Sequence, residues 1–279
     1  MISFMRGAID HAQKALGRSR LAVQLAIKIK NQCDLVLGAR FGGSHLFADS
    51  GEEWLARLIA PRSSFFVDVG ANVGEWSLMF TAQMARPPAG LLFEPHPGTA
   101  IRLRAVMQEA GLAGCDVIEA AATDRSGTAP FFAEPNYGHT SGLHALRHRR
   151  SADTINVRLC RLDDELSQRR IADIDVLKVD AEGHDFFVLL GAETYLAARR
   201  IKLVQFEYNA FWIEAGATLT RAVAHLAAHG YVVRLLRADG LYELDVGRCG
   251  EFFKYSNFVA YLPGAFDGTL DRLPCRPAI

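Results

Sequence analysis

From residue 65 onward, short apolar runs alternate with stretches of helical periodicity, the rhythm of a parallel sheet wrapped by helices. Seven runs read as strands: 65–69, 90–94, 117–121, 174–180, 201–208, 231–236 and 257–261. Helices are predicted between them, at about 74–85 (stopped by Pro87-Pro88), 98–110, 186–190 and 219–229, the last ending at Gly230. The rhythm breaks after residue 124. Segments 127–133 and 156–161 look like strands of their own, so residues 124–161 are read as a small β insertion. The fold class expected is α/β.

The two ends depart from this pattern. Residues 1–45 read as a helical extension that stops at the Gly42-Gly43 turn. Leu21, Leu25 and Ile29 recur at helical spacing, which predicts a helix packed on the domain or, as an alternative, one lying in a membrane interface. Gln24, Lys28, Lys30, Asn31, Gln32 and Asp34 argue against a membrane span. Residues 46–265 form the main domain, and 266–279, with Pro274 and Pro277, read as a loose tail.

Composition narrows the class. The 279 residues are 50% hydrophobic, enough for one large core. Lys and Arg number 31, as do Asp and Glu, so there is no basic footprint for nucleic acid. The five cysteines, Cys33, Cys115, Cys160, Cys249 and Cys275, include no C-x-x-C pair. They predict scattered free thiols rather than a zinc ribbon or a disulfide framework. No signal peptide is visible at the start, so a cytoplasmic location is expected.

The sharpest local feature is Phe65-Phe66-Val67-Asp68-Val69-Gly70-Ala71-Asn72-Val73-Gly74-Glu75-Trp76, a strand, a glycine-bearing loop and a helix start. Gly70 and Gly74 let the backbone approach a ligand, and the helix start offers free N–H groups near Asn72. Asp68, at the strand end, orders the loop and favours a cationic group. Glu94 closes the next strand, 20 residues past Gly74, the expected place for a carboxylate that grips a ribose diol. The dinucleotide fingerprint G-x-G-x-x-G is the competing reading. Here Asn72 replaces its middle glycine, which a pyrophosphate requires.

These segments resemble the FkbM family of S-adenosylmethionine-dependent methyltransferases. The likeness runs through Val67–Gly74, Phe93-Glu94-Pro95-His96-Pro97 and Leu162-Asp163-Asp164-Glu165-Leu166. It is sharpest at Asp175-Val176-Leu177-Lys178-Val179-Asp180-Ala181-Glu182-Gly183-His184-Asp185, followed by Val188-Leu189-Leu190-Gly191-Ala192. It spans about 65–210 and leaves the first 45 residues uncovered. The resemblance implies a Rossmann-like class I methyltransferase fold, with a mostly parallel seven-stranded sheet and helices on both faces. It also implies S-adenosyl-L-methionine as donor and usually O-methylation of sugars, glycans or secondary metabolites. The family's Ser-Gly-Leu-like segment lies near the donor, which points to Ser141, and Asp124 is expected near the adenine.

Methyl transfer is an in-line displacement, aided by alignment and by a base on the acceptor hydroxyl. Asp180, Glu182 and His184 lie just beyond a strand end, the edge where such sheets bind ligands. Glu182 or His184 is a candidate base, and Asp180 lines the donor or orients a partner. Alternatively, Asp180 and Glu182 cap the next helix. Glu207-Tyr208-Asn209 points to the acceptor pocket, with Trp76, Tyr208 and Trp212 as aromatic walls or plain core. A divalent ion on Asp180, Glu182, Glu207 and Asn209 is possible chemistry, but the spacing does not demand it and no metal is assigned. His139, His144 and His148 are too irregular for zinc, and the run Arg147-His148-Arg149-Arg150 reads as solvated surface, with contact to a phosphate or acidic glycan as the alternative. Two other classes stay open: a donor-binding scaffold that does not methylate, and a nicotinamide-dependent oxidoreductase.

Overall fold

The computed structural model describes residues 2–44, 46–133, 141–144, 153–274 and 276–278. It divides into two units, residues 1–42 and 43–279.

The first unit is two helices, Ile2–Gly17 and Arg20–Phe41; Ser19 caps the second by accepting from the Ala22 N–H at 3.3 Å. Leu21, Leu25 and Ile29 are exposed, and so are Val23 and Ile27. Leu21, Leu25 and Ile29 fall on one side of the helix, and Val23 and Ile27 lie away from them. Among the described residues no helix is long and apolar enough to cross a membrane.

The second unit is an α/β fold. Its strands are β1 (Phe66–Val69), β2 (Gly90–Phe93), β3 (Cys115–Ile118), β4 (Ala121–Thr123), β5 (Gly127–Ala133), β6 (Asp153–Arg161), β7 (Ile174–Val179), β8 (Ile201–Tyr208), β9 (Val232–Arg237), β10 (Gly240–Glu243), β11 (Ser256–Tyr261) and β12 (Arg276–Pro277). Nine of them form one sheet in the order β12-β10-β9-β11-β8-β7-β1-β2-β3. β3, β2, β1, β7 and β8 run parallel, while β11 is antiparallel to both β8 and β9. These seven strands are the expected Rossmann-like sheet, and β10 and β12 extend its edge. The order reverses between β1 and β7, so a crevice opens above their carboxyl ends.

Packing explains the central strands. All residues of β1, β2 and β7 are buried, as a sheet covered on both faces requires. On one face Trp76 stacks on Phe80 with ring centroids 4.9 Å apart, and Phe66 lies 5.5 Å from Phe80. Helix Glu75–Thr81, which carries both, packs in the same cluster as Leu103 and Met107 of helix Pro97–Glu109.

Three sequence expectations change. The run 117–121 divides: β3 ends at Ile118, and Ala121–Thr123 is β4, which pairs with β6 outside the main sheet. The insertion is a three-stranded sheet, β4-β6-β5, with a small core of Ala121, Phe131, Ala133, Val157 and Leu159. The segment read as a loose tail buries Phe266, Leu270 and Ala278, and Arg276 and Pro277 pair with Tyr242 and Glu243. Its prolines obscured that anchoring, since a few apolar residues scattered among polar ones carry no periodic signal. His139, His148 and the run 147–150 lie outside the described residues. The four described cysteines are free.

Candidate functional site

A cavity of about 760 Å³ opens where the sheet order reverses. Seven of the ten expected site residues line it: Gly70, Asn72, Glu94, Ser141, Asp180, Glu182 and His184. Asp68, Gly74 and Asp124 do not.

The loop after β1 explains part of this division. Gly70 adopts φ +79°, and a Cβ there would lie 1.8 Å from the carbonyl oxygen of Asp180. Close passage of the β7 loop therefore fixes this glycine, whatever ligand the cavity takes. Gly74 adopts φ +89° and faces Met107 and Leu103, so it serves the contact between two helices rather than the cavity. Asn72 takes the left-handed conformation at φ 47°, and its N–H donates to Glu94 Oε2 at 3.1 Å. Glu94 Oε1 accepts from the His96 N–H at 2.8 Å. Burial pushes the Glu94 carboxyl up to about 7, and these two backbone donors oppose that rise. Phe93, Ala120, Ala121, Ala122, Phe131 and Leu143 supply apolar wall beside it.

Asp68 lies behind the loop, fully buried. Its Oδ2 accepts from Ser77 Oγ at 2.7 Å, and its Oδ1 lies 3.9 Å from Lys178 Nζ and has no hydrogen-bond partner. Burial raises its pKa, and Lys178 pulls the other way. Asp124 accepts from Thr123 Oγ1 at 3.0 Å and from Arg125 at 3.3 Å, outside the cavity.

Lys178, on β7, is the electrostatic centre of the site. Its Nζ donates to Asp180 Oδ2 at 3.0 Å and lies 5.9 Å from the Trp76 ring centroid. Burial opposes its charge, but Asp180, Asp68 and Glu52 together raise its pKa. Glu52 opens helix Glu52–Ile59 and reaches the cavity while accepting from Gln205 Nε2 at 2.6 Å and Ser50 Oγ at 2.8 Å. Burial raises its pKa as well. Nothing local in the sequence marks Glu52, because its partner Gln205 is 153 residues away on β8.

The loop after β7 is shaped by Asp185. Its carboxylate accepts from the N–H groups of Gly183 at 3.2 Å and Ala181 at 3.4 Å, tying down the loop ahead of helix Asp185–Gly191, whose start carries no side-chain cap from Asp180 or Glu182. Burial lifts the Asp185 pKa to about 8. Asp180 and Glu182 are thereby left to line the cavity, Glu182 in the left-handed conformation at φ 49°. His184 is held on both sides: Nε2 is 2.8 Å from Thr123 Oγ1, Nδ1 is 3.0 Å from His144 Nε2, and the ring stacks on Phe187. Burial, with His144 beside it, drives its pKa down to about 3. A neutral imidazole with both nitrogens engaged positions the insertion against this loop better than it takes a proton.

Across the cavity, Glu207, next to last in β8, accepts from Asn209 Nδ2; Trp212 Nε1 donates to its carbonyl oxygen at 3.0 Å. Burial, reinforced by Asp180, Glu182 and Asp185, raises the Glu207 pKa well above the usual carboxylate range. Phe253, Lys254 and Tyr255 complete this wall, and burial raises the Tyr255 pKa. This wall was missed, because the three residues sit in a loop with no strand or helix pattern. Trp76 lines the cavity, while Tyr208 and Trp212 are buried core. Among the described residues, Asp180, Glu182 and Glu207 do not form a triad with ligand atoms within 4.8 Å of one another.

A family model described as Methyltransferase FkbM domain matches residues 68–233. The FkbM methyltransferase structure from Methylobacillus flagellatus is similar at 13% identity and TM-score 0.45, covering 71% of this chain and 44% of that one, so the alignment spans less than half of that protein. A precorrin-6y C5,15-methyltransferase from Geobacter metallireducens shares 12% identity at TM-score 0.43, over 75% of this chain and 87% of that one. An O-methyltransferase from Bacillus cereus in complex with SAH shares 9% identity at TM-score 0.40, over 75% and 80%. No curated protein matches the sequence.

Proposed function

Because the chain belongs to the FkbM methyltransferase family, we propose that it moves a methyl group from S-adenosylmethionine to a hydroxyl of a sugar, glycan or secondary metabolite. The observation that carries this reading is the position of Glu94. Its carboxylate is pinned by two backbone N–H groups and lines the same cavity as Asp180, Glu182 and Glu207. The residues fit a sulfonium nucleoside. Glu94 accepts from the ribose hydroxyls, the Phe93 and Ala120–Ala122 wall takes the adenine, and the loop Gly70–Asn72 with Ser141 borders the rest. When bound, the donor supplies an electrophilic methyl carbon.

The chain's own groups do the remainder. Lys178 donates to Asp180 and fixes its carboxylate at the cavity edge, where it faces a cationic ligand. Asp68, buried behind the loop, keeps Lys178 and Ser77 in place. Glu207 takes the acceptor's proton: its carboxylate lines the cavity, is held by Asn209, and is made more basic by burial beside Asp180, Glu182 and Asp185. Glu182, on the loop after β7 that lines the same cavity, orients the acceptor. No metal is assigned to the reaction. We place the protein in the cytoplasm, in keeping with free Cys115 and Cys160.

A screen with methyl-labelled donor against sugars, glycolipids and polyketides tests the activity. Thermal shifts with S-adenosylhomocysteine and with NAD test the ligand: stabilisation by the first and not the second is expected. Stabilisation by NAD alone, or donor binding without transfer to any acceptor, refutes the proposal.

A further inference from the structure

At the other end of the sheet, Glu193, His225 and His229 bring three ligand atoms within 4.8 Å of one another. Glu193 opens the short helix Glu193–Ala197, just before β8 begins. His225 lies on helix Leu219–Ala228 and His229 follows it, just before β9. The catalytic cavity lies past the opposite ends of these strands, and β8 alone separates the two places by roughly 20 Å at about 3.3 Å per residue.

The spacing is that of a coordination shell. His225 Nε2 is 3.2 Å from Glu193 Oε2, and His229 Nε2 is 3.2 Å from Glu193 Oε1. Ligands about 2.0–2.1 Å from a tetrahedral zinc ion lie about 3.3 Å from each other. The His225 ring adds a second observation. Its Nε2 is buried and makes no hydrogen bond, although Glu193 is close enough for one. The ring bonds instead to the backbone of Leu189, through the remaining nitrogen, Nδ1. That arrangement, one nitrogen on a carbonyl and the other left with a lone pair, is how metal-ligating histidines are held. The ring stands edge-on to Phe186, which fixes its rotation further. Glu193 is half-exposed, leaving room for a water as fourth ligand.

We propose that Glu193, His225 and His229 bind one divalent transition-metal ion, zinc by the nitrogen and oxygen character of the set. The ion ties the connection entering β8 to the one entering β9. It is a structural clip, remote from methyl transfer.

The full-length protein, stripped with chelator, is titrated with zinc chloride beside Glu193→Gln and His225→Asn. One saturable equivalent per chain is expected in the unmodified protein, lost in both variants. Zinc is expected to raise the unfolding midpoint of the unmodified protein alone. Cobalt(II) in place of zinc should give the intense visible absorption of a tetrahedral site. Absence of saturable uptake, as from a mere histidine–carboxylate ion network, overturns the proposal. So does uptake that survives in the variants. If His225→Asn fails to fold, Glu193→Gln decides, because the substitution sits at a half-exposed surface position and preserves shape. None of these readouts depends on which reaction the distant cavity performs.

Discussion

Replacing Glu94 with glutamine probes the donor site at its most informative atom pair. Both carboxylate oxygens already accept backbone N–H groups, from Asn72 and His96. An amide keeps one acceptor and turns an NH₂ toward the other donor. A hydrogen bond to a charged group is worth about 1.5–3 kcal/mol. Losing one such bond to the ribose weakens donor binding about 10- to 150-fold. The pH dependence separates this from general damage. With Glu94 pushed up to about 7, ionising it costs the unliganded fold roughly 3 kcal/mol. That cost is absent below about 4.5, grows between 4.5 and 7, and is complete above 7. Donor affinity should therefore fall by about tenfold per pH unit below 7 in the unmodified protein and stay flat in Glu94→Gln. Over the same window the variant should gain stability relative to the unmodified chain as pH rises. Calorimetric titration with S-adenosylhomocysteine, with urea melts at each pH, reads both effects. An affinity within about threefold of the unmodified protein, in a folded variant, would refute the ribose assignment.

Lys178→Met should cost about 3–5 kcal/mol in urea denaturation, because it strands the buried carboxylates of Asp68 and Glu52 without their cation; a loss under about 1 kcal/mol would show that the cluster is not electrostatically bound. Glu207→Gln should lower turnover by about 10²- to 10⁴-fold while leaving donor affinity unchanged, and equal losses in Glu182→Gln alone would move the base there. His184, driven down to about 3, should show no titration in its ring proton shifts between pH 5 and 8. Because its folded pKa lies below the unfolded value of 6.5, stability should fall by about 1.4 kcal/mol per pH unit as pH drops from 6.5 toward 3. A shift midpoint near 6.5 would contradict the packed Thr123 and His144 partners.

Much of this fold was legible because burial writes itself into local pattern. β1, β2 and β7 are covered on both faces, so each is mostly apolar, broken only by Asp68 in β1 and by Asp175 and Lys178 in β7, and the acids Glu94 and Asp180 stand where the runs stop. What escaped was set by distant partners. β4 continues the apolar stretch of β3 in sequence, and only its pairing with β6 removes it from the main sheet. Gly70 looked like a ligand glycine, but the Asp180 carbonyl dictates it. His184 sits in the most recognisable run of the chain, yet its ring is spent on Thr123 and His144, which lie 61 and 40 residues away. Glu52 and Tyr255 reach the cavity from outside any strand-end motif.

The crossing of the β1 and β7 loops has a further consequence. With Gly70 pressed against the Asp180 carbonyl, the loop proposed to border the donor and the loop carrying Asp180 and Glu182 share a single fulcrum. Neither can be reshaped alone. On the proposed function, a different acceptor would be fitted by changes at Phe253–Tyr255 and Asn209–Phe211, or in the β insertion that carries Ser141, with the Gly70–Asp180 crossing left in place.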